Sequence, residues 1–120
     1  MNLEECRATM DACRQAADRE AQLLKDSQRA LERLDAFYGQ LDESERQLAD
    51  QVISDWTLSE DPKVRFDALH LISEFQIADA LPALRKLAER LAASDAVSAP
   101  YELRKVNCII GGLEGSSSPK

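Results

Sequence analysis

Residues 3–41 read LEECRATMDACRQAADREAQLLKDSQRALERLDAFYGQL, and this stretch decides the fold class. Its apolar and small side chains recur at alternating steps of three and four residues, which is the heptad spacing of a helix that packs along one side. This heptad seam consists of Leu3, Cys6, Met10, Cys13, Ala17, Glu20, Leu24, Ser27, Leu31, Leu34, Tyr38 and Leu41. Glu20 and Ser27 are its polar defects. Because neither glycine nor proline precedes Gly39, the stretch predicts one long helix that Gly39 ends as its C-cap.

The length of this helix leads to a prediction of self-association. At 1.5 Å per residue the helix would span roughly 50 Å, whereas a domain of 120 residues has a radius of gyration of only ~14 Å. The apolar stripe then needs cover from the C-terminal helices or from a second copy of the chain. We predict a homo-oligomer that forms through Leu3, Met10, Leu24, Leu31 and Leu34. The alternative is a break near Asp26-Ser27, with Ser27 as the cap of a second helix.

Four shorter helices are predicted after residue 41 from local start and stop signals. Asp and Ser favour the first positions of a helix because their side chains accept hydrogen bonds from its unpaired N–H groups. Pro favours these positions because its backbone angle is already helical and it has no N–H to leave unpaired. Glycine favours the end of a helix. The signals are the capping boxes Asp42/Glu45 and Ser44/Gln47, the caps Asp61 and Asp79, Pro62 and Pro100 at helix starts, and Gly111-Gly112 as the last stop.

One segment resembles a HEAT repeat. Its motifs are Asp61-Pro62-Lys63-Val64-Arg65 before one helix and Ala80-Leu81-Pro82-Ala83-Leu84 at the start of its partner. Arg65 and Arg104 are 39 residues apart, close to the period of ~40–47 residues in this family. The resemblance spans residues 45–112 if the flanking helices count as half-repeats. It implies a stack of helical hairpins that presents helix faces and turns to another protein, and few proteins of this family have a catalytic site of their own.

These patterns together predict an all-α chain with one helical domain over residues 1–113. The domain comprises a long N-terminal helix (1–41) and about four shorter helices in a HEAT-like stack (42–113). Residues 114–120 read EGSSSPK, a composition typical of a disordered tail.

Acidic residues are concentrated in one part of the sequence. The chain has a net charge of −7, and residues 42–75 alone contain nine acidic and three basic side chains, a net of −6. Such a concentration is a solvated surface or a patch that attracts a basic protein. The candidates for partner contact are Glu43, Glu45, Asp50, Asp55, Asp67 and Glu74.

Composition also argues against several classes of function. The net negative charge is unfavourable for binding to nucleic acid or to an anionic membrane, and no apolar run approaches the ~20 residues that span a bilayer. A catalytic triad needs a histidine with nearby partners, and structural zinc needs four convergent ligands. The one histidine, His70, lies beside apolar residues and is predicted to be a partly buried helix residue. We therefore predict no enzyme activity, no metal and no cofactor.

The three cysteines, Cys6, Cys13 and Cys108, form no C-x-x-C motif. Free thiols in a reducing compartment are the simplest interpretation, so we predict a cytoplasmic protein. Cys6 and Cys13 lie two helical turns apart on the heptad seam as small packing residues. An intermolecular disulfide across a dimer is the alternative.

The function predicted from these features is a non-enzymatic protein-binding module. Small size, acidity and the lack of catalytic groups favour an immunity or inhibitor protein that blocks a basic, toxin-like partner. An adaptor, a secretion chaperone or a coiled-coil structural subunit of an assembly is the alternative.

Overall fold

The computed structural model describes residues 2–24 and 27–117, with the side chains of all of these except residues 24, 27–30 and 115–117. The helices are α1 (Leu3–Leu24), α2 (Ser27–Gly39), α3 (Glu43–Thr57), α4 (Pro62–Phe75), α5 (Leu81–Ala92) and α6 (Ala99–Ser117), with a short 3₁₀ turn at Ala78–Ala80 before α5. The described residues contain no strand. The all-α prediction is confirmed, and α1 is a long N-terminal helix.

The prediction of one unbroken helix from residue 1 to Tyr38 is wrong. Helices α1 and α2 pack against each other, and Arg33 forms an ion pair with Glu20. In a straight helix these residues, 13 apart, would be separated by ~20 Å. The alternative, a second helix that begins at Ser27, is what the structure has. The physical reason is burial, because folding back lets α2 cover the apolar stripe of α1 within one chain.

The chain divides into two compact units, Met1–Val52 and Ile53–Lys120, with the division inside α3. The sequence pattern had predicted one domain over residues 1–113. The first unit contains α1, α2 and most of α3. Its buried side chains are Cys6, Met10, Ala17, Ala21, Leu34, Tyr38, Ala49 and Val52.

Helix α3 begins with a reciprocal capping box. The backbone N–H of Glu45 donates to Asp42 Oδ1 at 2.8 Å, and the backbone N–H of Asp42 donates to Glu45 Oε1 at 3.0 Å. This predicted box is therefore confirmed. The second box is wrong, because α3 already begins at Glu43, so that Ser44 is an interior helical residue. Gly39 is the last residue of α2 but does not adopt a left-handed C-cap conformation.

The second unit contains the end of α3 and helices α4, α5 and α6. Asp61 caps α4 as predicted, with Oδ1 accepting from the N–H of Lys63 at 3.0 Å and Pro62 in the first turn. Helix α4 ends at Gln76, which adopts the left-handed conformation (φ 54°). The prediction of Asp79 as a cap is wrong, because Asp79 lies within the 3₁₀ turn and α5 has no side-chain cap.

Helix α6 packs mainly against α5 and also contacts α4. Its buried residues Ala99, Val106 and Leu113 are seven apart and so share one face. The predicted stop at Gly111-Gly112 is wrong, because α6 continues to Ser117. Burial of Leu113 contributes ~2 kcal/mol, enough to offset much of the helix-propensity cost of two glycines. The first four residues of the segment predicted as a disordered tail are thus helical, and residues 118–120 lie outside the described part of the chain.

Candidate protein-binding surfaces

The six predicted partner-binding residues are distributed over both units. Glu43, Glu45 and Asp50 belong to the first unit, and Asp55, Asp67 and Glu74 belong to the second. Glu43, Asp55 and Glu74 are exposed, whereas Glu45, Asp50 and Asp67 are half-buried. Three of the six predicted residues are therefore exposed enough to contact a partner.

Two of the half-buried carboxylates have roles within the first unit. Glu45 closes the capping box of α3. Asp50 accepts a hydrogen bond of 2.7 Å from the hydroxyl of Tyr38, whose side chain is buried. Arg46 lies over the Tyr38 ring, 5.1 Å from its centroid, and donates to the carbonyl of Gly39 at 3.2 Å. This Tyr38 cluster ties α3 to the end of α2, so Asp50 stabilises the fold.

The residues predicted for self-association lie largely inside a single copy of the chain. Met10 and Leu34 are buried, with 1% and 2% of their surface exposed. Leu3 and Leu31 are half-buried. The side chain of Leu24 is outside the described set. Because α2 covers the heptad seam, the argument that the seam needs a second copy no longer holds, and oligomerisation itself stays a prediction.

A half-buried network in the second unit was not found from the sequence. Arg65 donates from Nε and Nη2 to the two carboxylate oxygens of Glu102, at 2.7 and 3.2 Å. Its Nη1 donates to the carbonyls of Ser59 and Glu60, at 2.9 and 3.1 Å. Arg65 therefore connects the turn before α4 to α6. No local pattern indicates this pair, because Glu102 lies 37 residues further along the chain.

Beside this network is a cleft of about 450 Å³. Arg90 donates to the carbonyl of Leu58 at 2.9 Å across one edge of it. Its lining combines leucine side chains with two guanidinium groups: Leu58, Ser59, Glu60, Arg65, Leu87, Arg90, Leu91 and Ser94. The side chain of Arg65 makes four hydrogen bonds within the chain, so Arg90 is the cation better placed for an anion in this cleft.

A second exposed feature of this unit is aromatic. Phe66 on α4 and Tyr101 on α6 have 47% and 73% of their surface exposed. The ammonium group of Lys105 lies 4.3 Å from the centroid of the Phe66 ring. Tyr101 and Lys105 are one helical turn apart and thus share a side of α6. The sequence analysis did not single these residues out, although the position of Tyr101 away from the Val106 and Leu113 face of α6 was an available signal.

The three cysteines and the histidine differ in burial and in thiol acidity. Burial raises the pKa of the Cys6 and Cys13 thiols, which disfavours the reactive thiolate. Cys108 is exposed and His70 is half-buried. Within residues 2–24 and 27–117, no group of three or more His, Cys, Asp or Glu side chains is arranged to hold a metal ion.

None of the helices in the described part of the chain is both long and apolar enough to cross a membrane. No family model matches the chain, and neither a curated protein nor a solved structure is significantly similar to it.

Proposed function

We propose that this chain is a non-enzymatic protein-binding module, and that it acts as a small acidic immunity or inhibitor protein against a basic partner. The observation that carries the proposal is the concentration of negative charge in residues 42–75, a net of −6, with exposed carboxylates on α3 and α4. The HEAT-like resemblance of residues 45–112 supports a binding role as well.

Two of the basic residues in residues 42–75 are engaged in contacts within the chain, which leaves the exposed charge of this segment more negative. Of the three basic residues in residues 42–75, Arg46 lies on the Tyr38 ring and Arg65 is paired with Glu102. Glu43 and Glu74 are exposed and accept no hydrogen bond from another described residue. A carboxylate of this kind attracts a basic surface during approach and contacts it in the complex.

In the inhibitor mechanism, exposed carboxylates of residues 42–75 bind the basic surface around the partner's active site and prevent its substrate from entering; Glu43 is available on the first unit and Glu74 on the second. An adaptor or secretion chaperone is the alternative, since it would use the same contacts without abolishing the partner's activity. The alternative of a coiled-coil structural subunit is weakened, because the heptad seam is buried in a hairpin of α1 and α2.

The test compares two charge-reversed variants of equal net charge. Glu43→Lys/Glu74→Lys changes exposed carboxylates in the first turn of α3 and the last turn of α4. The matched control Glu4→Lys/Glu89→Lys changes exposed carboxylates in the first turn of α1 and near the end of α5. Asp50 is left intact because it binds Tyr38.

Each tagged variant is used to capture partners from a lysate of the native host. We expect wild type and control to retain one basic protein and Glu43→Lys/Glu74→Lys to lose it. The captured protein is then purified and its activity measured with an excess of this chain. Loss of activity supports inhibition, and unchanged activity supports the adaptor. Equal retention by both double variants contradicts the role of these two carboxylates.

A further inference from the structure

The second unit exposes aromatic side chains in an unusual setting. Most large apolar residues described in this unit are buried, yet Phe66 and Tyr101 together leave two rings in contact with water. Exposed aromatic side chains surrounded by polar residues are typical of protein-binding sites, because they bury a large area with little loss of conformational freedom. These two rings are also among only five Phe and Tyr residues in the chain.

Cations lie beside both rings, although the net charge of the chain is −7. Lys105 lies over the ring of Phe66. Lys63 is three residues before Phe66 on α4, and Arg104 is three residues after Tyr101 on α6, and both are exposed. At these spacings each cation lies beside its ring. We call Lys63, Phe66, Tyr101, Arg104 and Lys105 the aromatic–basic patch.

The acidic residue of α6 nearest to this patch is already neutralised. Glu102 follows Tyr101 directly, but both of its carboxylate oxygens accept hydrogen bonds from Arg65. This pair fixes α4 against α6, and within residues 2–24 and 27–117 Lys63, Arg104 and Lys105 form no ion pair with an acidic side chain. The patch therefore combines the exposed cations Lys63 and Arg104 and the half-buried Lys105 with two exposed aromatic rings.

We infer that the aromatic–basic patch binds an acidic segment of another protein, in which Asp or Glu side chains flank one large apolar side chain. The apolar side chain packs between the rings of Phe66 and Tyr101. The carboxylates pair with Lys63, Arg104 and Lys105, and Lys105 supports both contacts because it already lies on a ring face. This inference goes beyond the proposed function, because the surface has the opposite charge from the carboxylates on α3 and α4. It gives the chain a second, separate binding site.

Single-stranded nucleic acid also combines negative charge with stacking groups. Three cations in a chain of net charge −7 give little electrostatic attraction to a polyanion, however, since such binding depends on neutralising many phosphates. A protein segment with a few carboxylates fits the patch better.

The experiment uses the full-length chain as bait for a phage-displayed library of random peptides of about 12 residues, a length that covers one helix face or strand. The selected peptides are then synthesised and their Kd measured by fluorescence anisotropy against each variant. Tyr101→Ser and Lys105→Glu remove an exposed ring and a patch cation. Phe66→Ala is a third variant. Circular dichroism checks that each variant remains folded, and Tyr101→Ser keeps the test valid should Phe66→Ala unfold, because Tyr101 is largely exposed.

The controls match these changes at other surfaces. Leu23→Ser removes an exposed apolar side chain from α1, and Lys86→Glu reverses an exposed cation on α5. We expect the selected peptides to place Asp or Glu beside Leu, Phe or Trp. Tyr101→Ser and Lys105→Glu should each weaken binding by about tenfold, as loss of a central interface contact does, while the controls should stay within about twofold of wild type, as expected for contacts outside the site.

Three results would overturn the inference. The library yields no enriched sequence, the enriched peptides are basic, or acidic peptides bind the patch variants as tightly as the controls. A parallel titration uses oligothymidylate of about 20 nucleotides, long enough to span a single-strand site. Tight binding that only the patch variants lose would assign the patch to nucleic acid instead.

Discussion

Replacement of Arg65 by methionine is the sharpest test of how the second unit holds together. Arg65 makes two charged hydrogen bonds to Glu102 and two more to the carbonyls of Ser59 and Glu60. Its side chain and that of Glu102 are 16% and 18% exposed. Methionine keeps most of the apolar stem but leaves a largely buried carboxylate and two carbonyls without this donor.

The size of the effect follows from these contacts. A hydrogen bond to a charged group contributes ~1.5–3 kcal/mol and a neutral one ~0.5–1.5 kcal/mol. Partial exposure of the pair and water that replaces some lost bonds reduce the sum. We expect Arg65→Met to lower the free energy of unfolding by ~2–4 kcal/mol, a large part of the 5–15 kcal/mol typical of a domain. Glu102→Gln should cost only ~1 kcal/mol, because its amide oxygen still accepts from Arg65.

The assay is urea unfolding followed by the fluorescence of Trp56. This is the single tryptophan of the chain, it is 5% exposed, and it belongs to the second unit. Its signal therefore reports the unit that contains the pair. The double variant Arg65→Met/Glu102→Gln completes a double-mutant cycle, from which we expect a coupling free energy of ~1–2 kcal/mol between the two residues.

Arg85→Met is the matched control, because the ion pair of Arg85 with Glu114 is 56% and 53% exposed. It should change the free energy of unfolding by less than ~0.5 kcal/mol. If Arg65→Met costs no more than this control, or if the coupling is zero, the Arg65 pair is an ordinary surface pair and the reasoning is refuted.

Four further predictions concern a cap, two glycines, thiol reactivity and the pH dependence of stability. Asp61→Ala removes the cap of α4 and should cost ~1 kcal/mol in the same Trp fluorescence assay, whereas Asp61→Asn, which keeps the cap, should not. Gly111→Ala and Gly112→Ala meet open space and should each stabilise α6 by up to ~1 kcal/mol; destabilisation in thermal unfolding would argue against a helix through residue 112. Iodoacetamide should modify exposed Cys108 well before buried Cys6, as read by mass spectrometry of the peptides; equal rates would contradict the burial of α1. Since burial raises the pKa of Cys6 in the folded chain, the unfolded chain loses this proton first, and stability should fall as pH rises through the ordinary thiol range.

Local sequence signals determined the helices and several of their ends. The box of Asp42 and Glu45 and the start of α4 at Asp61-Pro62 appear as predicted. Each depends on groups within three residues of one another, so the flanking sequence contains all the necessary information. The all-α class follows in the same way from the spacing of apolar residues.

Tertiary packing decided where helices break or continue at positions whose local signals are weak or in conflict. The heptad seam specifies a buried helix face but not which helix covers it, so only the structure shows α2 folding back to bring Arg33 to Glu20. Gly111-Gly112 is a stop by propensity, yet α6 continues to Ser117, because burial of Leu113 offsets much of this local cost.

The candidate surfaces, too, could be predicted only in part from the sequence. The sequence located the concentration of acidic residues in residues 42–75. It did not show that Asp50 binds Tyr38, nor that Arg65 neutralises Glu102 and so leaves the aromatic–basic patch positive. Helix formation depends on near neighbours, whereas a surface depends on which distant side chains meet. The sequence by itself therefore determined the all-α class and the starts of α3 and α4, and the tertiary structure decided the break between α1 and α2, the end of α6 and which charges and rings are left for a partner.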